Sequence, residues 1–527
     1  MFFLRFNPFF YTEWLRLFSP SLPLKKKMKT SKTGKICSDM KTTFRLFLVF
    51  MIVLVLAGCA KPEAIPTPEP SPTEPVVQPS ATPEPTLPEP AVLQLPLPPQ
   101  HPTHYKLDLI LNYYSHFGSV TQKITYTNKS SQAMDELLLV VPPRNYVNSY
   151  EQYSLSGERV GSFREEGIFT WLTLTSPLQP LETTTINLSF RLYLPEHQGI
   201  FGYTNQQANL SDWYPFIPPF TDDQGWLAYP RVVDQDNIIV GESIVNEFSN
   251  FEVSLTLTSH ADLIEIAASA PAQGADGKFS YRLENARAFS FSVSDSYFEH
   301  EIVQDGVTIR SYVFMNQIEQ GKQVTEIAAQ AMKLYGELFY PYQRELVSIV
   351  VGDFLHNMEL DGFVMISYGI FDFYNGNPDT DLPIMTPHEL AHMWFYGAIG
   401  NNHALEPWLD EALATYGEYL YYERYHPDFL DWWWRVRIAK PAPSGFVDSD
   451  IWIEGGYIPY RNAVYLRGVE FLHEVRQTVG EGAFFAALKD YAYTNTYRIA
   501  TRQDFMDAFS RHSQADLSPI ISRYFQN

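Results

Sequence analysis

From residue 105 onward, apolar side chains recur at every second position. Leu107, Leu109, Leu111 and Tyr113 alternate with mostly polar neighbours. The same alternation runs through Ile186, Leu188, Phe190, Leu192 and Leu194, then Phe251, Val253, Leu255 and Leu257, and again Phe289, Phe291 and Val293. A period of two puts all apolar groups on one face of a pleated strand, with the other face free for water. Asp305-Gly306 between 299–303 and 307–313 is a tight-turn pair and predicts a hairpin. Residues 105–314 therefore read as an antiparallel β-sandwich or saddle-like sheet domain, without a catalytic cluster of its own.

After 314 the period changes. Val324, Ile327, Ala328, Ala331 and Leu334 lie three and four apart, which predicts a helix over 317–340 closed by Pro341-Tyr342. Residues 346–351 form a short apolar strand, and Met365 and Ile366 belong to a second, edge strand. Later apolar stripes at Phe471, Leu472 and Val475, and at Phe484, Phe485, Leu488 and Tyr491, are helical, and Thr501 to Phe505 open a capped final helix. The whole reads as an α+β multidomain chain, with a β-rich half at 105–314 and a largely helical half at 315–527.

The first hundred residues follow neither pattern. Residues 46–57 are an apolar run behind Lys41 and Arg45 that ends Leu56-Ala57-Gly58-Cys59. It is short of the roughly 20 apolar residues a spanning helix needs. The run resembles a bacterial lipoprotein signal, 40–58, whose cleavage leaves Cys59 as a lipidated N-terminus. The alternative is an uncleaved membrane anchor. Residues 1–39 show no clear periodicity, and Met40 is an ordinary start for such a signal, so the extension before it is expected to be absent from the natural chain. From Cys59 to 104 the chain is dominated by Pro, Glu, Thr and Ser, a composition that stays extended as a spacer. The expectation is a membrane-anchored, extracytoplasmic protein of a bacterial cell envelope.

Charge narrows the partners. Residues 1–59 hold ten of the 38 basic and two of the 60 acidic side chains, leaving a net charge of −30 beyond Cys59. Such a surface argues against nucleic acid and against electrostatic docking to anionic lipid. Only Cys37 and Cys59 occur, so neither a disulfide framework nor a thiolate metal ligand is available in the folded part.

The candidate chemistry lies in His388-Glu389-Leu390-Ala391-His392. Two histidines four apart on a helix share a face and can share one metal ion, with Glu389 beside it to take a proton from a bound water. Thr386 and Pro387 stand where a cap and a first-turn proline would stand. A hydrolytic zinc site needs a third ligand from a neighbouring element. Trp408-Leu409-Asp410-Glu411, opening a helix that runs to about Tyr422, offers Glu411.

This spacing and its Trp-Leu-Asp-Glu surround resemble the aminopeptidase N family of gluzincin metallopeptidases. The resemblance implies one Zn2+ per chain on His388, His392 and Glu411, a thermolysin-like catalytic domain over 315–527, and peptide substrates. Met358-Glu359 resembles the family's Gly-Ala-Met-Glu-Asn stretch, so Glu359 is expected to bind the substrate's terminal ammonium; His356, Asn357 and Leu360 depart from that pattern. Tyr465-Leu466-Arg467-Gly468 resembles its Tyr-x-Lys-Gly pattern, which makes Tyr465 the donor to the oxyanion, with Tyr460 and Tyr457 as competitors. Relatives also send a loop from the β domain to the active site. Trp213-Tyr214-Pro215 and Gly225-Trp226 fall in that place, and Gln206, Gln207 and Asp212 lie just before it. The longer family members carry a further helical-repeat domain that is not expected here.

Two side chains stay open on the residues alone. Glu418, two turns after Glu411, is either a partner for a histidine or a solvated carboxylate, and Trp432 to Trp434 read as core packing. The implied activity is release of N-terminal residues from peptides. The rival readings are a zinc endopeptidase or oligopeptidase of the same fold, and a non-catalytic surface binding protein.

Overall fold

The computed structural model describes residues 95–526. The signal, Cys59 and most of the Pro-rich spacer lie outside the described residues. No helix among the described residues is long and apolar enough to cross a membrane.

The period-two segments form strands. Leu107, Leu109 and Leu111 are buried while Lys106, Asp108 and Ile110 face outward, and the strand Thr103–Asn112 is the middle of a seven-stranded sheet. It pairs antiparallel with Phe117–Thr127 on one side, Leu109 opposite Val120. On the other side it runs parallel to Ser249–Leu257, Leu109 beside Leu255. The sheet is therefore not wholly antiparallel as expected. A parallel neighbour requires a long crossover, and the strands between 117 and 248 supply it. Their inner faces, with three- and four-stranded sheets, close a core around Trp213, Phe251 and Phe291.

The hairpin Phe298–Gln304/Val307–Val313 forms where Asp305-Gly306 predicts it, but it belongs to the next layer. Val307–Val313 runs parallel to Leu346–Gly352, which runs parallel to Phe363–Ser367, and Met358–Leu360 closes the edge antiparallel. The change of sheet thus falls near residue 298, ahead of the boundary at 314/315 drawn from the sequence. Leu346–Gly352 is buried at every position, as a strand covered on both faces must be. The Met365 strand is second from the edge; the edge itself carries Glu359.

Helices cover this sheet. Ile318–Leu338 packs its apolar stripe on the hairpin and on the helix Leu382–Ala391. The latter starts five residues earlier than a cap at Thr386 predicts. Pro383 occupies its first turn, and Pro387 is interior. An interior proline forfeits a backbone bond. Tyr335 holds that turn from outside, its hydroxyl donating to the Pro387 carbonyl at 3.0 Å. The helix ends at Ala391, so Met393, Trp394 and Phe395 bury themselves from the following turn. Trp408–Tyr425 lies against it, and the last helices pack around Trp408, Phe471 and Phe505.

Candidate active site

His388 projects from the last turn of Leu382–Ala391, and His392 from the residue that caps it, both toward Glu411 in the first turn of Trp408–Tyr425. The two Nε2 atoms are 3.4 Å apart, and Glu411 Oε2 lies 3.4 and 3.5 Å from them. A tetrahedron with metal–ligand bonds of about 2.1 Å has edges of about 3.4 Å. The three donors thus already form one face of a tetrahedral site. Glu411 Oε2 is buried and hydrogen-bonded to nothing, as an atom reserved for a cation would be. The donor set fits a zinc ion and leaves a fourth corner free.

Each ligand is held from behind. His392 Nδ1 donates to the Phe395 carbonyl at 3.0 Å, which leaves its Nε2 lone pair for the metal. His388 Nδ1 lies 2.9 Å from Glu418 Oε1. Glu418 is fully buried, so its open reading resolves as the partner of a histidine. Burial alone would raise its carboxyl, but Arg437 and His388 outweigh it and keep it below the ordinary range. Asp410 accepts hydrogen bonds from the Glu411 backbone N–H at 2.6 Å and from His403 Nδ1 at 2.6 Å. His403 Nε2 in turn faces Arg287, which comes from the β-rich half and also donates to the Tyr396 carbonyl.

Glu389 is 4% exposed, with Oε2 unpaired. Burial raises its carboxyl, the two imidazoles oppose this, and Glu411 reinforces it. Asn357, one of the departures from the family pattern, bonds toward this carboxylate while its Oδ1 accepts from the Ser367 N–H at 3.0 Å. Glu359 sits on the edge strand, its carboxylate within 4.8 Å of the ligand atoms of Glu389 and His392. Burial pushes it up to about 8; His392 opposes this, while Glu411 and Glu389 add to it. A buried carboxylate among other carboxylates is short of a positive partner. His356 stands apart from the metal ligands against Phe354, and burial lowers it to about 4.

Tyr465 reaches the site from a π-helical turn, Asn462–Leu466. Its ring lies parallel to His388, and its hydroxyl donates to Glu411 Oε1. The wider turn re-aims the side chain relative to the helix that follows. Gly468 makes the approach possible, since a methyl group there would collide with the Ala412 Cβ on the Glu411 helix. Tyr460 is buried behind Tyr465, and Tyr457 lies at the start of the same segment.

The wall opposite comes from the β-rich half, though not from the first stretch expected. Trp213-Tyr214-Pro215 is core, with Trp213 Nε1 donating to the Phe289 carbonyl. Gln207 is committed to Tyr297 and the Val351 carbonyl, and holds the loop before His356. The strap that reaches across is 224–245. Gln224 and Tyr229 bond Asn402, Asp234 accepts from the Tyr457 N–H, and Gly241 passes directly over the Tyr460 hydroxyl. Next to it, Glu242 places Oε2 3.6 Å from His403 Nδ1. Burial, then the charge of Glu359, raises Glu242 well above the carboxylate range. Nothing in the pattern of residues marks Glu242. A lone acid in a strand-poor segment carries no pattern, and only docking of the strap brings it near Glu359. The charge of Asp212 adds to the rise of Glu242, and burial pushes Asp212 itself up to about 6 against the opposing charge of Arg231.

No protein-family model matches the chain. Part of it is similar to aminopeptidase M1-D of Oryza sativa subsp. japonica, 26% identical over 215 residues, 37% of this chain and 24% of the relative. Aminopeptidase N of Lactobacillus helveticus is 26% identical over 272 residues, 45% of this chain and 30% of that one. The puromycin-sensitive aminopeptidase of Caenorhabditis elegans is 22% identical over 461 residues, 81% of this chain and 46% of that one. The chain thus spans between a quarter and half of the length of these curated relatives. Among solved structures, the M1 zinc metallopeptidase of Deinococcus radiodurans shares the fold. Its TM-score is 0.56 at 18% identity, over 82% of this chain and 95% of that one. A mutant of that enzyme bound to a Tyr-Ser-Ala substrate gives 0.57 at 16% identity, over 81% and 94%.

Proposed function

Because this chain belongs to the aminopeptidase N-type gluzincins, we propose that it is a zinc-dependent aminopeptidase releasing N-terminal residues from peptides. His388, His392 and Glu411 hold the ion, which when bound polarises a carbonyl and acidifies a water. Glu389, buried beside that corner, takes the proton of the attacking water and returns it to the departing amine. The Tyr465 hydroxyl, already turned toward the ligand sphere, donates to the oxygen on which negative charge develops. Glu359 pairs with the terminal ammonium, and Glu242 faces the same cation from the strap.

The observation that carries the exopeptidase reading is Glu359. Its carboxylate is buried within reach of the metal ligands and raised by that burial, with Glu411 and Glu389 adding to the rise against His392. A protonated terminus supplies a positive charge one residue from the bond to be cut. An aminoacyl anilide with a free amine should be hydrolysed at least tenfold faster than its N-acetyl form. Glu359→Gln should lower kcat/KM for the free amine by about 10- to 100-fold, the worth of a hydrogen bond to a charged group. Equal turnover of blocked and free substrates would favour the endopeptidase reading instead.

The short apolar run ending at Cys59 supports a lipidated N-terminus, with the Pro-rich spacer holding the enzyme off the outer face of a bacterial membrane. The parent should partition into detergent while Cys59→Ala stays aqueous; identical partitioning of the two would refute the anchor.

A further inference from the structure

Behind His388 the structure builds a complete buried clamp. Glu418 accepts three hydrogen bonds and lies against a fourth nitrogen. Arg437 Nε donates to its Oε2 at 2.9 Å, and Arg437 Nη2 to its Oε1 at 2.8 Å. Trp433 Nε1 donates to Oε2 at 3.3 Å, and His388 Nδ1 stands 2.9 Å from Oε1. Glu418 is 0% exposed and Arg437 8%. A fork of two parallel N–H···O bonds fixes the plane of the carboxylate as well as its position. With that plane fixed, Oε1 stands 2.9 Å from His388 Nδ1 as a close charged contact whose angle falls short of a hydrogen bond, and the charge it presents there backs the ring orientation that sends Nε2 to Glu411.

The segment that supplies the fork carries no metal-site motif. Trp433 and Arg437 are four residues apart, so they share a helix face. The stretch Trp434–Ala439 that follows Trp433 is π-helical, like the turn that aims Tyr465. Arg437 is also acted on by Asp381, the residue just before the Leu382–Ala391 helix. One guanidinium therefore grips the body of the glutamate helix and supplies positive charge felt at the start of the histidine helix, and its bulk is spent inside the protein. A surface arginine making a loose ion pair would do none of this.

We propose that Arg437 is a positioning residue for the metal site: through its bidentate grip on Glu418 it locks the His388 ring, and the affinity for the divalent ion depends on that lock. The inference rests on the metal site of the proposed function and not on the choice of substrate. It is therefore read through metal affinity rather than through turnover.

The test is competition for zinc between a chromogenic chelator and the purified full chain, alongside unfolding of each protein after chelation. Zinc binding by the parent tests the metal-site reading itself. Arg437→Met removes both N–H donors at similar length and leaves the Glu418 carboxylate buried with its charge unmatched. It should bind zinc about 10- to 100-fold more weakly than the parent, and kcat should fall with little change in KM at saturating zinc. Arg437→Lys restores the charge without the fork and should recover only part of the affinity. Should Arg437→Met fail to fold, Glu418→Asp decides: it keeps the pair with Arg437 but withdraws from His388, and should weaken zinc by at least tenfold in a folded protein. Parent-like zinc affinity in a folded Arg437→Met, or in Glu418→Asp, would overturn the proposal. So would a loss of thermal stability in either variant with zinc affinity unchanged, since that is the mark of a purely structural pair.

Discussion

Glu389→Gln should keep its zinc and lose about three orders of magnitude in kcat. The change is nearly isosteric, so it opens no cavity at a site only 4% exposed. It leaves His388, His392 and Glu411 untouched. What it removes is the ability to accept a proton, and a positioned general base is worth about 100- to 10,000-fold. Burial raises this carboxyl, the two imidazoles oppose the rise and Glu411 adds to it. Steady-state kinetics with metal analysis on the same sample checks this. A variant with full zinc and more than a tenth of the parental kcat would remove Glu389 from the reaction.

Glu411→Ala should fail in the opposite order, losing the metal first. Two imidazoles alone give an incomplete zinc site, and Oε2 of Glu411 closes the triangle at 3.4 and 3.5 Å. Loss of a direct ligand exceeds the roughly 10- to 100-fold cost of losing a supporting contact. Dialysed protein should therefore retain well under about one-tenth of an equivalent of zinc, and turnover should return only with large excess metal. The same change deprives the Tyr465 hydroxyl of its acceptor, so activity in excess zinc should stay below the parent's. Stoichiometric zinc after dialysis would mean that another group is the third ligand. Together the two variants separate the proton carrier from the metal holder.

The chemistry of the site was legible where spacing along one element decides geometry. His388 and His392 share a helix face because they are four apart, and Glu418 shares one with Glu411 because it is seven further on. The alternation through Leu107, Leu109 and Leu111 located a strand and its buried face for the same reason. Helix limits were less legible. Thr386-Pro387 looks like a start, yet the helix begins at Leu382, because Pro383 suits the first turn equally well and Tyr335 supports the interior proline.

What the sequence determined by itself is local: which residues share a face, where period two yields to period 3.6, and which donors suit a zinc ion. Only the tertiary structure decided which elements meet. It moved the 298–313 hairpin into the catalytic sheet, made Glu359 the edge, and carried Glu242 on the strap to His403. It also brought Arg437 to Glu418, nineteen positions earlier in the chain. The reason is physical. Periodicity reports contacts within one element, where the backbone fixes the distance. Contacts between elements depend on which buried surfaces and charges find each other when the chain closes, and no spacing along the chain encodes that.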